Sequence, residues 1–244
     1  MATRHIIPLA NILNKLKSLI LTVLLLAVWS CSNDKFVAEF ESTLGNENSQ
    51  FLTELVFDFE NDFLKRQYPN LEIESAYKKL MLELRDGQID DWKKISTKSR
   101  NKFEKSLLKS EIYQYPDSVW VEKDTAEMTI KSKQPVIKSR FKYVSIDGTI
   151  EYLEAESSIP PMEYADIAWL LKRQKESPEF NTSGKYFQAL YKVKDRDEFF
   201  KKFYERKNSM GFIGAETLAS VMLYENVDFN DYLIKRIIML EIVY

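Results

Sequence analysis

The sequence predicts a mainly α fold, a helical domain interrupted by a small antiparallel β element around residues 119–155. Three observations carry this. Apolar residues recur at three- and four-residue spacing from Phe51 to Leu107, and again from Met162 to the end of the chain. Between those stretches the period falls to two, punctuated by Pro116, Pro135 and Pro160-Pro161. Within that middle part Asp147-Gly148 separates two alternating runs, the composition of a tight hairpin. The alternative is an all-helical bundle whose middle is irregular loop.

Taken in order, residues 1–30 differ in kind from the rest of the chain. They carry Arg4, Lys15 and Lys17 and no acidic residue, then an apolar run from Leu19 to Val28 and a small residue, Ser30, before Cys31. A positive start, a short apolar run and a small residue at the cut read as a signal peptide. The uncharged stretch from Ser18 to Asn33 is sixteen residues, short of the ~20 that cross a bilayer. Val28-Trp29-Ser30-Cys31 resembles the lipobox of bacterial lipoproteins, with Trp29 an unusual residue at the variable position. That resemblance implies cleavage before Cys31, a diacylglyceryl thioether on its sulfur and an acyl group on the new amine. Several acyl chains make a stable anchor where one does not. Ser32 replaces the aspartate associated with inner-membrane retention, so the resemblance implies the outer membrane, on either its periplasmic or its surface side. Cleavage leaves 214 residues with 32 Lys plus Arg against 37 Asp plus Glu. Such an acidic balance excludes binding to nucleic acid through bulk charge.

Residues 31–48 read as a lipidated tether, because polar residues dominate and Gly45-Asn46-Glu47-Asn48 is a breaker cluster. Phe36, Val37 and Phe40 suit one short helical turn within it. Residues 49–244 read as a single, mostly helical globular domain. Phe51, Leu52, Leu55, Val56, Phe59 and Phe63 mark a first helix ending at Tyr68-Pro69-Asn70. Ile73, Tyr77, Leu80 and Leu84 mark a second, closed by Asp86-Gly87. A third is expected from about 90 to 110, with Trp92, Ile95, Phe103 and Leu107 inward.

In the β element, a two-residue loop at Asp147-Gly148 sets Tyr143 opposite Tyr152 and Ile146 opposite Thr149. A lone hairpin is marginal in water, so a third strand is expected near Val119-Trp120-Val121 or Met128-Thr129-Ile130. Helices are then expected near 162–175, 184–193, 196–207, 214–225 and 229–242. Asp195 with Glu198 resembles a capping box for the third of these. Tyr232 to Tyr244 is apolar nearly all round; thirteen residues do not span a bilayer, and the segment reads as a buried core helix. Its Ile234-Lys235-Arg236-Ile237 resembles the C-terminal helix of uncharacterised Gram-negative lipoproteins, a resemblance that implies no activity.

Chemistry is limited by what the chain lacks. His5 is the only histidine and lies in the leader; Cys31 is the only cysteine. After cleavage and acylation no His- or Cys-based nucleophilic scheme and no His/Cys zinc site is expected, and no metal or cofactor is assigned. No phosphate-loop motif occurs, and Gly211-Phe212-Ile213-Gly214 reads as a turn before a helix. Acidic pairs at Asp90-Asp91, Asp195/Asp197 and Asp228/Asp231 each stand at a helix start, where capping favours them. Trp92, Trp120 and Trp169 read as core residues in preference to sugar-stacking platforms.

One surface stands out as a candidate site. Between Glu127 and Asp147 lie Lys131, Lys133, Lys138, Arg140 and Lys142 with no acidic residue. They read as a basic ribbon for an envelope protein or an anionic surface; the plain alternative is a solvated strand face whose lysines discourage edge pairing. The functional reading is therefore a membrane-anchored lipoprotein acting by binding or assembly at the cell envelope. Its alternatives are a hydrolase of glycan or peptidoglycan built on two carboxylates, and an inhibitor or immunity protein.

Overall fold

The structure is a computed structural model that describes residues 35–89, 97–122, 136–144, 148–158 and 166–244. Cys31 and the leader lie outside the described residues. Residues 35–44 are helical, as part of a first helix, α1, which corrects the tether reading for these positions. Phe36, Val37, Phe40 and Leu44 follow helical spacing, and Phe40 and Leu44 are fully buried in the core. The polar count along the chain hid that apolar stripe. Gly45, at a φ of 89°, turns the chain into α2, Asn46–Asp58, which continues through a π-helical stretch, Phe59–Leu64, and a last turn, Lys65–Gln67.

Helix α3, Ile73–Arg85, buries Ala76, Tyr77, Leu80, Met81 and Leu84, and Gly87 takes up a positive φ just past its end. The expected third helix is instead two shorter ones among the described residues, α4 (Thr97–Glu104) and α5 (Leu107–Ile112). Ser106 makes the break, its Oγ accepting the N–H of Lys109. The break changes the helical phase, so Leu107 is exposed and Leu108 and Ile112 face the core. Trp92 and Ile95 lie outside the described residues.

After the β segments come α6 (Ile167–Glu176), α7 (Lys185–Val193), α8 (Glu198–Met210), α9 (Ala215–Tyr224) and α10 (Tyr232–Ile238), which runs on as a π-helix over Met239–Val243. Asp197, not Asp195, caps α8, its carboxylate accepting the Phe200 N–H; Asp231 accepts from Leu233 and Ile234 at the start of α10. One apolar cluster joins α1 to α5 with α7 to α10, and the C-terminal helix is buried within it as expected.

Five strands are described: β1 (Tyr113–Gln114), β2 (Ser118–Glu122), β3 (Val136–Val144), β4 (Ile150–Ser158) and β5 (Glu179–Phe180). Strands β2, β3 and β4 form an antiparallel sheet in that order, so the third strand is the one around Trp120. The register differs by one residue from that of a two-residue loop. Tyr143 lies opposite Glu151, and the pair Val144↔Ile150 leaves an odd number of residues, 145–149, between the strands. Gly148 has a φ of 84°, and Asp147 lies outside the described residues. The observed register sets Lys138 opposite Glu156, Arg140 opposite Glu154 and Phe141 opposite Leu153. A one-residue slip sets those two cations opposite Ser157 and Ala155, so cross-strand charge outweighs the turn dipeptide in fixing the register.

The three-stranded sheet lies outside the main core. Between Gln114 and Glu179 no described residue joins the apolar cluster. Ile137, Ser139 and Phe141 on one face of β3 are buried, and α6 packs against β2 and β3 to form a satellite layer. The chain leaves the helical core and returns to it through one ladder, Tyr113↔Phe180 and Gln114↔Glu179. Asn181 reinforces this neck, its N–H donating to the Ile112 carbonyl at 2.8 Å and its side-chain amide to the Ser110 carbonyl at 2.8 Å. Gly184 closes it, since a Cβ there would stand 2.0 Å from the Glu111 carbonyl oxygen.

Gly184→Ala is therefore expected to lower stability by ~2 kcal/mol, an overpacking cost with backbone on the other side. Urea unfolding measures it, and an unchanged midpoint contradicts the close approach at the neck.

Candidate interaction surface

The candidate basic residues fall on the sheet, as far as they are described. Lys138, Arg140 and Lys142 alternate along one face of β3, while Lys131 and Lys133 lie outside the described residues. That face also carries Trp120 and Glu122 from β2 and Ile150, Tyr152, Glu154 and Glu156 from β4, by the pairing register. Lys138 is ion-paired with Glu122, with Glu156 at 3.3 Å and with Glu154 at 4.0 Å. Glu122 and Glu156 hold its ammonium above the ordinary lysine range. Arg140 is set between the Glu154 carboxylate, 3.0 Å away, and the Trp120 ring, 5.3 Å from its centroid. Lys142 stands opposite Tyr152.

On the described part of the ribbon, Lys138 and Arg140 are thus ion-paired across the sheet face. Counting charge along the chain saw five cations and no acid; folding brings the glutamates of β2 and β4 beside two of them. Ion pairs in contact with water add little stability singly, but together these fix which residues face each other. Trp120 is half-buried on this sheet and Trp169 is exposed on α6, so neither belongs to the helical core, contrary to expectation.

Beside this face, β4 stands at the edge of the sheet among the described residues. It is exposed over most of its length, with Ile150, Tyr152 and Leu153 at 51%, 55% and 54% of full exposure. Val144, across the ladder from Ile150, is exposed as well. Ile150, Tyr152 and Val144 share one face at this end of the sheet, and Leu153 stands on the other.

A buried ion pair lies elsewhere, in the helical core. Lys207 and Glu241 are 1% and 3% exposed and 2.6 Å apart, and the Tyr186 hydroxyl donates to the other Glu241 oxygen at 2.9 Å. Burial drives the Lys207 ammonium below its usual range, opposed by Glu241, and drives the Tyr186 phenol well above its own. Arg236, also buried, donates to the Tyr232 carbonyl and to Thr53 Oγ1 at 2.6 Å, and lies over the Tyr232 ring. Arg196 grips Asp231 with two bonds of 2.8 and 2.7 Å. These groups join helices to one another. Sequence reasoning missed them, although Lys207 follows Phe200 and Phe203 on the apolar stripe of α8, the one signal that marks it as inward.

Two surface grooves are larger than a third that lies beside Trp169 on α6. One, of about 550 Å³, runs between α2 and α5 past Glu47, Phe51, Glu54, Lys102 and Leu107. Its carboxylates are seven residues apart on α2, and Glu54 is paired with Lys102 at 3.9 Å. The other, of about 480 Å³, lies between α8 and α9 over Phe203, Ile213, Leu218 and Val221, with Arg206 at its rim. Of the acidic pairs, Asp197 and Asp231 cap helices and Asp228 accepts the Asn230 N–H in a turn; Asp90 and Asp91 lie outside the described residues. Among the described residues no three His, Cys, Asp or Glu side chains are grouped to hold a metal ion. No protein family, no curated protein and no solved structure matches this chain.

Removing one member of a buried ion pair strands the other, at a cost of ~3–5 kcal/mol. Lys207→Met should show that loss in urea unfolding, and adding Glu241→Leu should recover part of it. A loss below ~1 kcal/mol for Lys207→Met, typical of a surface pair, would contradict its placement.

Proposed function

We propose that this chain is a lipid-anchored binding protein of a bacterial cell envelope, held by acyl chains on Cys31 and contacting a partner through its three-stranded sheet. The open edge and apolar end of that sheet carry the binding half of this reading: Ile150, Tyr152 and Leu153 stand in solvent on a layer set apart from the core. The lipobox-like Val28-Trp29-Ser30-Cys31 supports the anchoring half. No described helix is long and apolar enough to cross a membrane. Attachment in this reading comes from lipid, on the outer membrane by the same resemblance.

The ion pairing of Lys138 and Arg140 favours an envelope protein over an anionic lipid surface, because their charges already have glutamates beside them. Anchoring confines the domain to a surface, raising its effective concentration for a partner there without any new contact. Residue 35, four positions after Cys31, already lies in helix α1. This reading therefore holds the domain close to the bilayer, at a distance shorter than a tether through residue 48 allows.

Metabolic labelling with a fatty acid tests the anchor. Wild type should incorporate label and partition into membranes; Cys31→Ser should lose the label. Equal labelling of both proteins would defeat the lipoprotein reading. Hydrolysis of a glycan or peptide by the purified chain, abolished by a single Glu→Gln change at Glu47 or Glu54 with the fold intact, would replace binding with catalysis.

A further inference from the structure

We infer that β4 is a docking edge that takes up an extended, lysine- or arginine-bearing segment of a partner protein by strand addition. This rests on the sheet being the contact surface, and it names the partner's chemistry. The ladder with β3 is continuous from Ile150 to Ser158, nine residues without a bulge. In such a strand alternate residues direct their N–H and C=O away from the neighbouring strand, and among the described residues no strand pairs with that side of β4. Sheet edges are ordinarily blunted by lysine, proline, bulges or a covering element. Strand β4 has no lysine, no proline, no glycine and no bulge, and seven of its nine residues are exposed.

What β4 does carry is acid. Glu151, Glu154 and Glu156 lie along it with no basic residue. That choice argues against a second copy of the chain as the occupant. Pairing β4 with itself gathers six glutamates and no lysine, and the full-length antiparallel register sets Glu154 against Glu154. The same residues favour an incoming strand that alternates basic and apolar positions. On one face it meets Ile150 and Tyr152, then Glu154 and Glu156; on the other it meets Glu151 and Leu153. Lys138 is shared among Glu122, Glu154 and Glu156, so those carboxylates retain capacity for a further cation. Main-chain bonds would supply the attachment and the alternate side chains the selectivity.

The test uses the full chain in detergent micelles and nine-residue fluorescent peptides. One peptide alternates lysine with valine, a second replaces lysine with glutamate, and two more are the lysine peptide N-methylated at one or the other set of alternate amides. The lysine peptide should bind at least tenfold more tightly than the glutamate peptide. N-methylation on one of its two amide sets should abolish binding, and hydrogen exchange should slow at alternate amides of β4. Glu151→Lys with Glu156→Lys should invert the preference between the charged peptides, with unchanged far-UV circular dichroism showing the fold intact. Equal binding of lysine and glutamate peptides, undiminished binding of both N-methylated forms, or binding without protection of β4 overturns the inference. So does a concentration-dependent dimer that protects β4, which assigns the edge to a second copy. If crosslinking in membranes finds a partner on the sheet face while none of the peptides protects β4, strand addition fails and the binding function stands.

Discussion

Lys207 carries an ammonium group into the middle of the helical core, and much of the architecture is arranged around keeping it there. Stripping water from such an ion costs several kcal/mol. The cost is offset by Glu241, 2.6 Å away, and by the Phe180 ring, whose centroid is 4.0 Å from the nitrogen. Each partner comes from a different part of the chain. Glu241 belongs to the π-helical end of α10, Tyr186 on the same carboxylate belongs to α7, and Phe180 belongs to the neck strand β5. One charge pair thereby fixes the C-terminus, two helices and the point where the chain returns from the sheet.

From that point an aromatic cluster spreads outward. Phe180 meets Tyr186, Phe187 and Phe212 edge-on, and Tyr113, its partner in the neck, stacks on Phe212. Burial pushes the Tyr113 phenol up to about 12, with Glu241 adding to the shift. The neck is thus part of the core, while the layer beyond it is not. Residues of the satellite layer bury Ile137 and Phe141 locally, with α6 against β2 and β3, and leave β4 open. A sheet supported in this way keeps its register through cross-strand pairs of Lys138 and Arg140 with glutamates. It can stay open to solvent without weakening the helices that carry it.

The helical half of this arrangement was legible in the sequence because its signal is local. Leu80 and Leu84, or Phe199 and Phe203, announce a buried face by spacing alone. Local patterns failed where an interaction spans the chain. The polar stretch before Ser49 read as tether because nothing in its composition shows that Phe40 and Leu44 meet a core contributed by residues after 180. The hairpin register followed Asp147-Gly148 in the sequence but follows Lys138, Arg140 and Phe141 in the fold. The pairing of Lys138 and Arg140 was hidden for the same reason, their glutamates lying on neighbouring strands. Lys207 on α8 and Glu241 in the last segment sit inside apolar stripes, but only the fold shows that they find each other.

Everything proposed for the sheet requires it to be a separately supported layer on a cooperative helical core. Native-state hydrogen exchange measures this residue by residue. Amides of Leu80 in α3, Leu190 in α7 and Ile238 in α10 should exchange only through global unfolding. Amides of β4 from Ile150 to Ser158 should exchange through local opening at a clearly lower free energy, outward-facing ones fastest. Protection of β4 equal to that of Leu190 would show the sheet to be part of the core unit, and would contradict an open edge.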